Sequence, residues 1–491
     1  MIAASHPILS CDEARELEAR LFAGDEEKEW AAMQRAGRAI AEAVLRDFQE
    51  IGGFGSNGRV LVLVGKGHNG GDALIAATDV LRRFPGATAE VMFVLGERAL
   101  RPLAVRAWRE LSRTGRVEVK SGEWRARGYE LCLDGIFGFQ FRPPAEERVQ
   151  RCIEEVNARD VRLRAAVDLP SAGLFRADFT YATGSVKRPV LESEVAGRVR
   201  YLDLGFFSGE QEAGGERVLT PAVLGRLASL RESRSDKRSF RHVFVLAGSR
   251  NYPGAAMMTV QAALKAGAGL VTAFVPESVA AAFAARVPEA IWVAWPETPG
   301  GGLALEGETL LRERIERADA LVIGPGIGRE LETLALVKDV VAKASVPVVL
   351  DADALQPEIV RAVKSPCVVT PHAGEFQRIA EGRTLGEFAA ETGAVVVLKG
   401  PVTRVAKEEM VYHSFYGGPV LARGGSGDLL AGMIGTMLAQ TPNDAVVAAA
   451  RGVVWHGLAA EALARRRGQV AVRTTELLDY LGAALREEEA W

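Results

Sequence analysis

Short apolar runs, each closed by a glycine-rich loop and followed by a helical pattern, recur along the whole chain. Nothing else in the sequence limits the fold as much. In the first half, Arg59–Val64 leads into Gly65-Lys-Gly-His68-Asn69-Gly70-Gly71-Asp72 and a helix to Arg83. Glu90–Leu95, Glu130–Leu133 and Leu163–Val167 repeat the apolar run. In the second half the runs are His242–Ala247, Leu270–Val275, Ala320–Ile323, Val346–Leu350, Cys367–Thr370 and Ala394–Leu398. Such runs are apolar on both faces, so they predict parallel strands covered by helices on both sides. Ser10-Cys-Asp-Glu13 reads as a capping box, and a helix is expected over Glu29–Phe48. Between about Phe207 and Arg241 the apolar periodicity fades into Gly, Glu, Arg and Ser. The expected organisation is a domain over 1–215, a linker over 216–240 and a domain over 241–491. From about residue 426 onward the pattern is helical.

The 52 glycines gather in the loops after these runs, where α/β proteins bind nucleotides. A chain of 491 residues with 48% hydrophobic content has material for two cores. Lys+Arg (60) and Asp+Glu (63) nearly cancel, which offers no basic tract for nucleic acid and no charged face for a membrane surface. No uncharged apolar stretch reaches the roughly 18 residues of a membrane span, and the N-terminus has no signal-peptide pattern. Cys11, Cys132, Cys152 and Cys367 form no C-x-x-C pair, so neither a zinc ribbon nor a disulfide framework is expected. These features predict a cytoplasmic enzyme acting on a small molecule.

The sharpest motif is Gly424-Gly425-Ser426-Gly427-Asp428, followed by the helical pattern Leu429–Leu438. Glycines let backbone N–H groups approach an anion, and the helix start adds a positive dipole end. An aspartate there can take a proton from a hydroxyl attacking a phosphoryl group. Alternatively, the loop is a plain turn with Asp428 as a cap. Five further loops follow predicted strands: Gly248–Ala256, Gly324–Gly328, Asp351–Ala354, Thr370–Glu375 and Lys399–Thr403. No P-loop of the form G-x-x-x-x-G-K-[ST] is present.

These loops read Y-P-G-A-A (252–256), G-P-G-I-G (324–328), D-A-D-A-L (351–355), T-P-H-A-G-E (370–375), K-G-P-V-T (399–403) and G-G-S-G-D-L-L-A-G (424–432). From about Arg241 to Ala464 the chain resembles the ADP- or ATP-dependent NAD(P)H-hydrate dehydratases of the ribokinase-like superfamily. The resemblance implies that Ala255, Gly328, His372 and Asp428 contact the hydrated nicotinamide nucleotide, with Asp428 catalytic. It implies that Lys399, Gly400, Pro401, Val402 and Thr403, with Gly424, Gly425, Ser426 and Gly427, hold ADP or ATP and its Mg2+. One departure is Gly417-Gly418-Pro419, where that family carries an Asn-containing segment. The chemistry is coherent: hydration of NADH leaves a hydroxyl on a saturated ring carbon, and phosphorylating it creates a leaving group whose elimination restores the double bond.

In the first half, the 65–72 loop is accompanied by two strand-end carboxylates, Asp134 and Asp168, with Ser171 close behind. Such oxygens can hold a hard cation; equally, the two aspartates can cap the next helices. The segments G-K-G-H-N-G-G-D-A, Asp134-Gly-Ile-Phe-Gly138-Phe-Gln and Asp168-Leu-Pro-Ser171-Ala-Gly resemble the NAD(P)H-hydrate epimerases over about Ser10 to Gly205. The resemblance implies potassium at Asn69, Asp134 and Ser171. It implies substrate at His68, Asn69, Gly70, Gly71 and Asp72 and around Gly138 and Arg142, with Asp168 as acid/base. His68 stands where that family has Asn, and Phe139-Gln140 where it has Thr-Gly.

Together the resemblances imply two three-layer α/β/α domains, Rossmann-like then ribokinase-like, in a homo-oligomer. Two other readings stay open: a kinase of a vitamin alcohol within the same superfamily, and an N-terminal half that binds without catalysing.

Overall fold

The computed structural model describes residues 2–120, 128–207 and 215–486. These form two compact units. One holds 6–207 and 464–469; the other holds 2–5, 215–463 and 470–486.

The first unit is built on a parallel sheet ordered Val117–Val119, Thr88–Phe93, Arg59–Val64, Tyr129–Gly135, Val161–Val167, Phe179–Thr183 and Arg198–Leu202. Its middle strand explains the layers. Val60, Val62 and Val64 pack in one core with residues of the helices Glu26–Phe48, His68–Arg83 and Pro102–Ser112. Leu61 and Leu63 point the other way, into a core with Val149, Ile153 and Val156 of the helix Glu147–Asn157. The period-2 alternation of side chains thus meets apolar helices on both faces, which is why the run is continuously apolar. The expected helix after the glycine loop begins early: His68–Gly71 are already its first turn. The Ser10–Glu13 capping box is present.

In the second unit the parallel order is Ile291–Trp295, Leu270–Pro276, His242–Leu246, Ala320–Ile323, Val348–Leu350, Cys367–Val369 and Val395–Leu398. An antiparallel hairpin, Thr403–Lys407 and Met410–Ser414, extends it. Residues 216–240, read as linker, contain the strand Glu216–Leu219, which runs parallel to Met410–Ser414. Its Val218 and Leu219 are buried, but four residues flanked by glycines and charges carry too little periodicity to be seen. Phe244, Leu246, Leu321 and Ile323 share a core with the helix Leu331–Lys343. On the opposite face Gly435 of the helix Ser426–Gln440 lies so close to Val322 that an added Cβ would come within 2.3 Å of its Cγ2. The helix Ala445–Arg467 is long and apolar enough to cross a membrane, yet 83% of that window is buried inside the protein, as in a core helix. All four cysteines are free.

Candidate functional site

In the second unit the predicted loops converge at the carboxyl ends of the parallel strands. The helix Ser426–Gln440 starts from Gly425, whose φ of +89° belongs to the left-handed region, and no side chain caps it. Its first N–H groups are therefore not committed to a capping side chain. The Lys399 ammonium lies at the same place: a Cβ added to Gly427 would sit 3.1 Å from its Nζ. Lys399 donates to Asp351 Oδ1 over 2.8 Å, and the Thr370 hydroxyl donates to the same oxygen over 2.7 Å. Burial pulls the Lys399 pKa down, but the Asp351 charge and hydrogen bond, with Glu375 and Asp428 behind them, outweigh it and leave it raised. Asp428, in the first turn of the helix, is pushed up to about 6 by burial and then by the charges of Asp351 and Asp353, against the pull of Lys399. It is ionised at neutral pH and a stronger base than an ordinary carboxylate.

The remaining loops adjoin. A Cβ on Gly326 would lie 2.8 Å from that of Ala255, so the 252–256 and 324–328 loops touch. Asp353 accepts the Gly328 N–H over 3.2 Å and Arg329 Nε over 3.0 Å. His372 caps the helix Ala373–Ala380, its Nδ1 accepting the N–H groups of Gly374 and Glu375 at 3.0 and 3.3 Å. The ring thus keeps its proton on Nε2, and the side chain is 61% exposed. Gly400, Pro401 and Val402 form the turn between Val395–Leu398 and the strand that starts at Thr403. Asp351, which orients Lys399 and is 1% exposed, had no role in the sequence reading.

The first unit holds a cavity of about 350 Å³ lined by His68, Asn69, Asp72, Gly138, Arg142 and Asp168, as expected, and also by Glu18, Arg101, Phe139 and Lys187. Gly70 and Gly71 are not in its lining. A Cβ on Gly70 would strike the Gly65 carbonyl at 2.5 Å, and one on Gly71 would strike Met33 Sδ at 2.5 Å, so close packing accounts for both glycines. Asp168 has φ +67° and is buried. Its Oδ1 accepts from Lys187 Nζ over 2.5 Å, while Oδ2 has no partner. Burial raises the Asp168 pKa and the Lys187 charge works against that rise. Asp72 is raised well above its ordinary value by burial and by the charges of Asp168 and Glu18.

Beside this cavity, Asp134 accepts the Ser171 N–H (2.8 Å) and hydroxyl (2.6 Å). Burial pushes its carboxyl up to about 6, against those Ser171 bonds. Asn69 Nδ2 donates to the Val167 and Phe137 carbonyls at 2.8 and 3.4 Å. Gly138 is required there, since a Cβ would fall 2.3 Å from Asn69 Oδ1. Sequence reasoning missed Glu18 and Lys187. Glu18 sits on an amphipathic helix and reads as a solvated charge, and Lys187 lies in the two-residue strand Val186–Lys187 with no local motif.

Comparison with known proteins agrees with both halves. A family model described as NAD(P)H-hydrate dehydratase matches residues 243–482, and one described as YjeF-related protein N-terminus matches 30–191. A bifunctional NAD(P)H-hydrate repair enzyme of Gloeobacter violaceus is 36% identical over 503 residues, covering 95% of each chain. One of Moorella thermoacetica is 33% identical over 504 residues, covering 93% of this chain and 92% of its own. Among solved structures, an ADP/ATP-dependent NAD(P)H-hydrate dehydratase of Bacillus subtilis, co-crystallized with ATP and Mg2+, is 28% identical with a TM-score of 0.44, covering 52% of this chain and 93% of its own. Matched in order in both halves, and aligned with such relatives over nearly their whole length, the chain belongs to the bifunctional NAD(P)H-hydrate repair enzymes, which join an epimerase half to a dehydratase half.

Proposed function

We propose that the second unit uses ADP or ATP to phosphorylate the hydroxyl of the (S)-hydrate and then eliminates phosphate, regenerating NADH or NADPH. One observation carries this reading: an uncapped helix start, a half-buried ammonium and a carboxylate raised to about 6 meet at Gly427-Asp428. The nucleotide phosphates would lie against the N–H groups of Gly424–Gly427 and Lys399, with the 400–403 turn beside them. Asp428 would take the proton of the attacking hydroxyl, and Ala255, Gly328 and His372 would hold the nicotinamide nucleotide. Mg2+ would arrive on the nucleotide and neutralise charge on the transferred group. The test is NADH formation from hydrated NADH with and without ADP. Recovery without nucleotide would overturn the reading, and accumulation of a phosphorylated alcohol would instead mark a vitamin-alcohol kinase.

For the first unit we infer Asp168 as the acid/base of epimerisation, since this residue lines the cavity and its Oδ2 has no hydrogen-bond partner. Asn69, Asp134 and Ser171 would hold K+. The donors fit a hard monovalent cation: the Asp134 carboxylate, the Ser171 hydroxyl and the Val167 and Phe137 carbonyls, now bridged by the Asn69 amide, are all oxygens. A bound cation would fix the 137–142 loop through Phe137. Phe139 lies 5.2 Å from Lys187 Nζ, ring centroid to nitrogen, and narrows the space that a Thr would leave. Supplying pure R epimer with ADP tests this half: consumption no faster than spontaneous exchange would leave it a binding module.

A further inference from the structure

Epimerisation inverts a carbon that carries a hydroxyl beside the ring nitrogen. The C–O bond breaks as the nitrogen lone pair forms C=N+, and the hydroxyl takes a proton and leaves as water. Water then adds to the other face of that carbon and loses a proton. Two proton transfers occur, on opposite faces of one ring. A single carboxylate on a fixed strand end reaches one of them, so a second group is needed on another element.

The cavity supplies candidates. Asp168 stands at the end of Val161–Val167, tied through Oδ1 to Lys187, with Oδ2 buried and unpartnered. Lys187 is itself 1% exposed, and its Nζ also donates to the Thr183 carbonyl over 3.1 Å. Asp72 and Glu18 line the same cavity from two different helices, His68–Arg83 and Cys11–Phe22. Asp72, at 7% exposure within its helix, is more enclosed than Glu18. Glu18 is partly open to solvent, so it can be reprotonated after each turnover.

We propose that Glu18 is the second acid/base residue of the epimerase site, protonating the departing hydroxyl while the Asp168 carboxylate takes the proton from the incoming water. In the reverse direction the roles exchange. One proton passes from Glu18 to Asp168 per event; solvent restores it at Glu18, and Asp168 returns its proton to water in the cavity before the next event. This assignment rests on the reading of Asp168 as acid/base. The charged and titratable groups around Glu18 are Lys187, Asp168 and Asp72, with Glu29 on Glu26–Phe48, His68 on His68–Arg83, and Lys66, Arg101 and Arg142 on the loops. Burial raises the Glu18 pKa to about 7, with the Asp168 and Glu29 charges adding to the rise and Lys187 opposing it. Glu18 is therefore protonated below about pH 7, and its function as the acid is lost as pH rises through that value.

The experiment follows conversion of pure R epimer to S in the full-length enzyme without nucleotide, with the epimers separated by chromatography. Glu18→Gln is expected to lower turnover by roughly 10²-fold or more, with KM held, and to remove the alkaline limb near pH 7. Glu18→Asp keeps a limb, at a shifted pH, and part of the rate; it decides the matter if the Gln variant does not fold. Turnover within about threefold of wild type with the limb intact overturns the proposal, as does loss of the limb in Asp72→Asn instead. Asp168→Asn separates the two readings. If it stays active, the site assignment itself fails; if it is inactive while Glu18→Gln is active, only the role of Glu18 fails.

Discussion

The two sites handle charge in opposite ways. In the dehydratase half, one ammonium and its carboxylates sit on glycine-bounded loops at the strand ends, and the helix start beside them is left uncapped. In the epimerase half, Lys187, Asp168, Asp72 and Asp134 are all buried to within 7% of full enclosure, and the carboxylates outnumber the cation. The first arrangement leaves the N–H groups of a helix start and a partly exposed Lys399 ammonium at the strand ends, where a phosphate donor can meet them. The second suits a reaction with no phosphoryl group in it. Burial raises the pKa of each of these carboxyl groups, and at Asp72 the charges of Asp168 and Glu18 add to the rise.

The largest expected effect separates the halves outright. Asp428→Asn leaves the helix start and Lys399 in place and removes only the base. Nucleotide-dependent NADH recovery should fall by roughly 10²–10⁴-fold, while R-to-S exchange is unchanged. A loss below about tenfold would mean that Asp428 is not the base, and the contrast between the sites would lose its chemical footing.

Next comes the buried ion pair. Lys187→Met leaves Asp168 and its neighbours without their cation, and stranding one member of a buried pair costs about 3–5 kcal/mol. Thermal unfolding of the first unit should drop accordingly, and epimerisation should be lost. Dehydration of pure S epimer should persist at temperatures where both units stay folded. Equal loss of both activities would show that the two sites do not depend on separate charge clusters.

How far these sites could be read from sequence follows from the same contrast. Each loop of the second unit is a contiguous run of the chain, so the loops could be picked out in the sequence; that they meet at the strand ends is what the fold adds. Asp351 was given no role because its partner Lys399 lies in a different loop, and only the fold brings the two together. The epimerase cavity draws Glu18 from a surface helix and Lys187 from a two-residue strand, and only the fold brings them to Asp168. The central strands were legible because both faces are apolar. Edge strands were not. Arg198–Leu202 alternates with arginines whose charges are met by Glu50 and Asp47 at 2.6 Å, a pairing invisible to periodicity.

A third prediction uses pH. The Asp428 pKa is raised to about 6, so Asp428 is protonated, and useless as a base, below that value. With S epimer and saturating nucleotide, the dehydration rate should be flat above about pH 7 and fall about tenfold per unit well below pH 6. Epimerisation should show the opposite limb, declining as pH rises above about 7, where Glu18 loses its proton. Two profiles with the same limb would erase the difference in charge handling.

The smallest effect concerns His372, which has two separable duties. Its Nδ1 caps an eight-residue helix, and Glu375 returns the bond by accepting the His372 N–H over 2.8 Å. Its Nε2 lies 3.5 Å from Glu375 Oε1 on a ring that is otherwise exposed. His372→Ala removes both and should cost about 1 kcal/mol of stability, the usual price of a lost cap. Asn is among the best N-cap residues, and its side-chain oxygen can accept the same N–H groups. His372→Asn should therefore restore stability while keeping the Ala variant's weakened substrate binding, read as a raised KM for S hydrate at unchanged kcat. Asn lacks the reach of the imidazole to place a donor where Nε2 stands. If Asn restores KM along with stability, His372 is a structural cap alone, and the dehydratase site holds its substrate by the glycine loops and Ala255 without it.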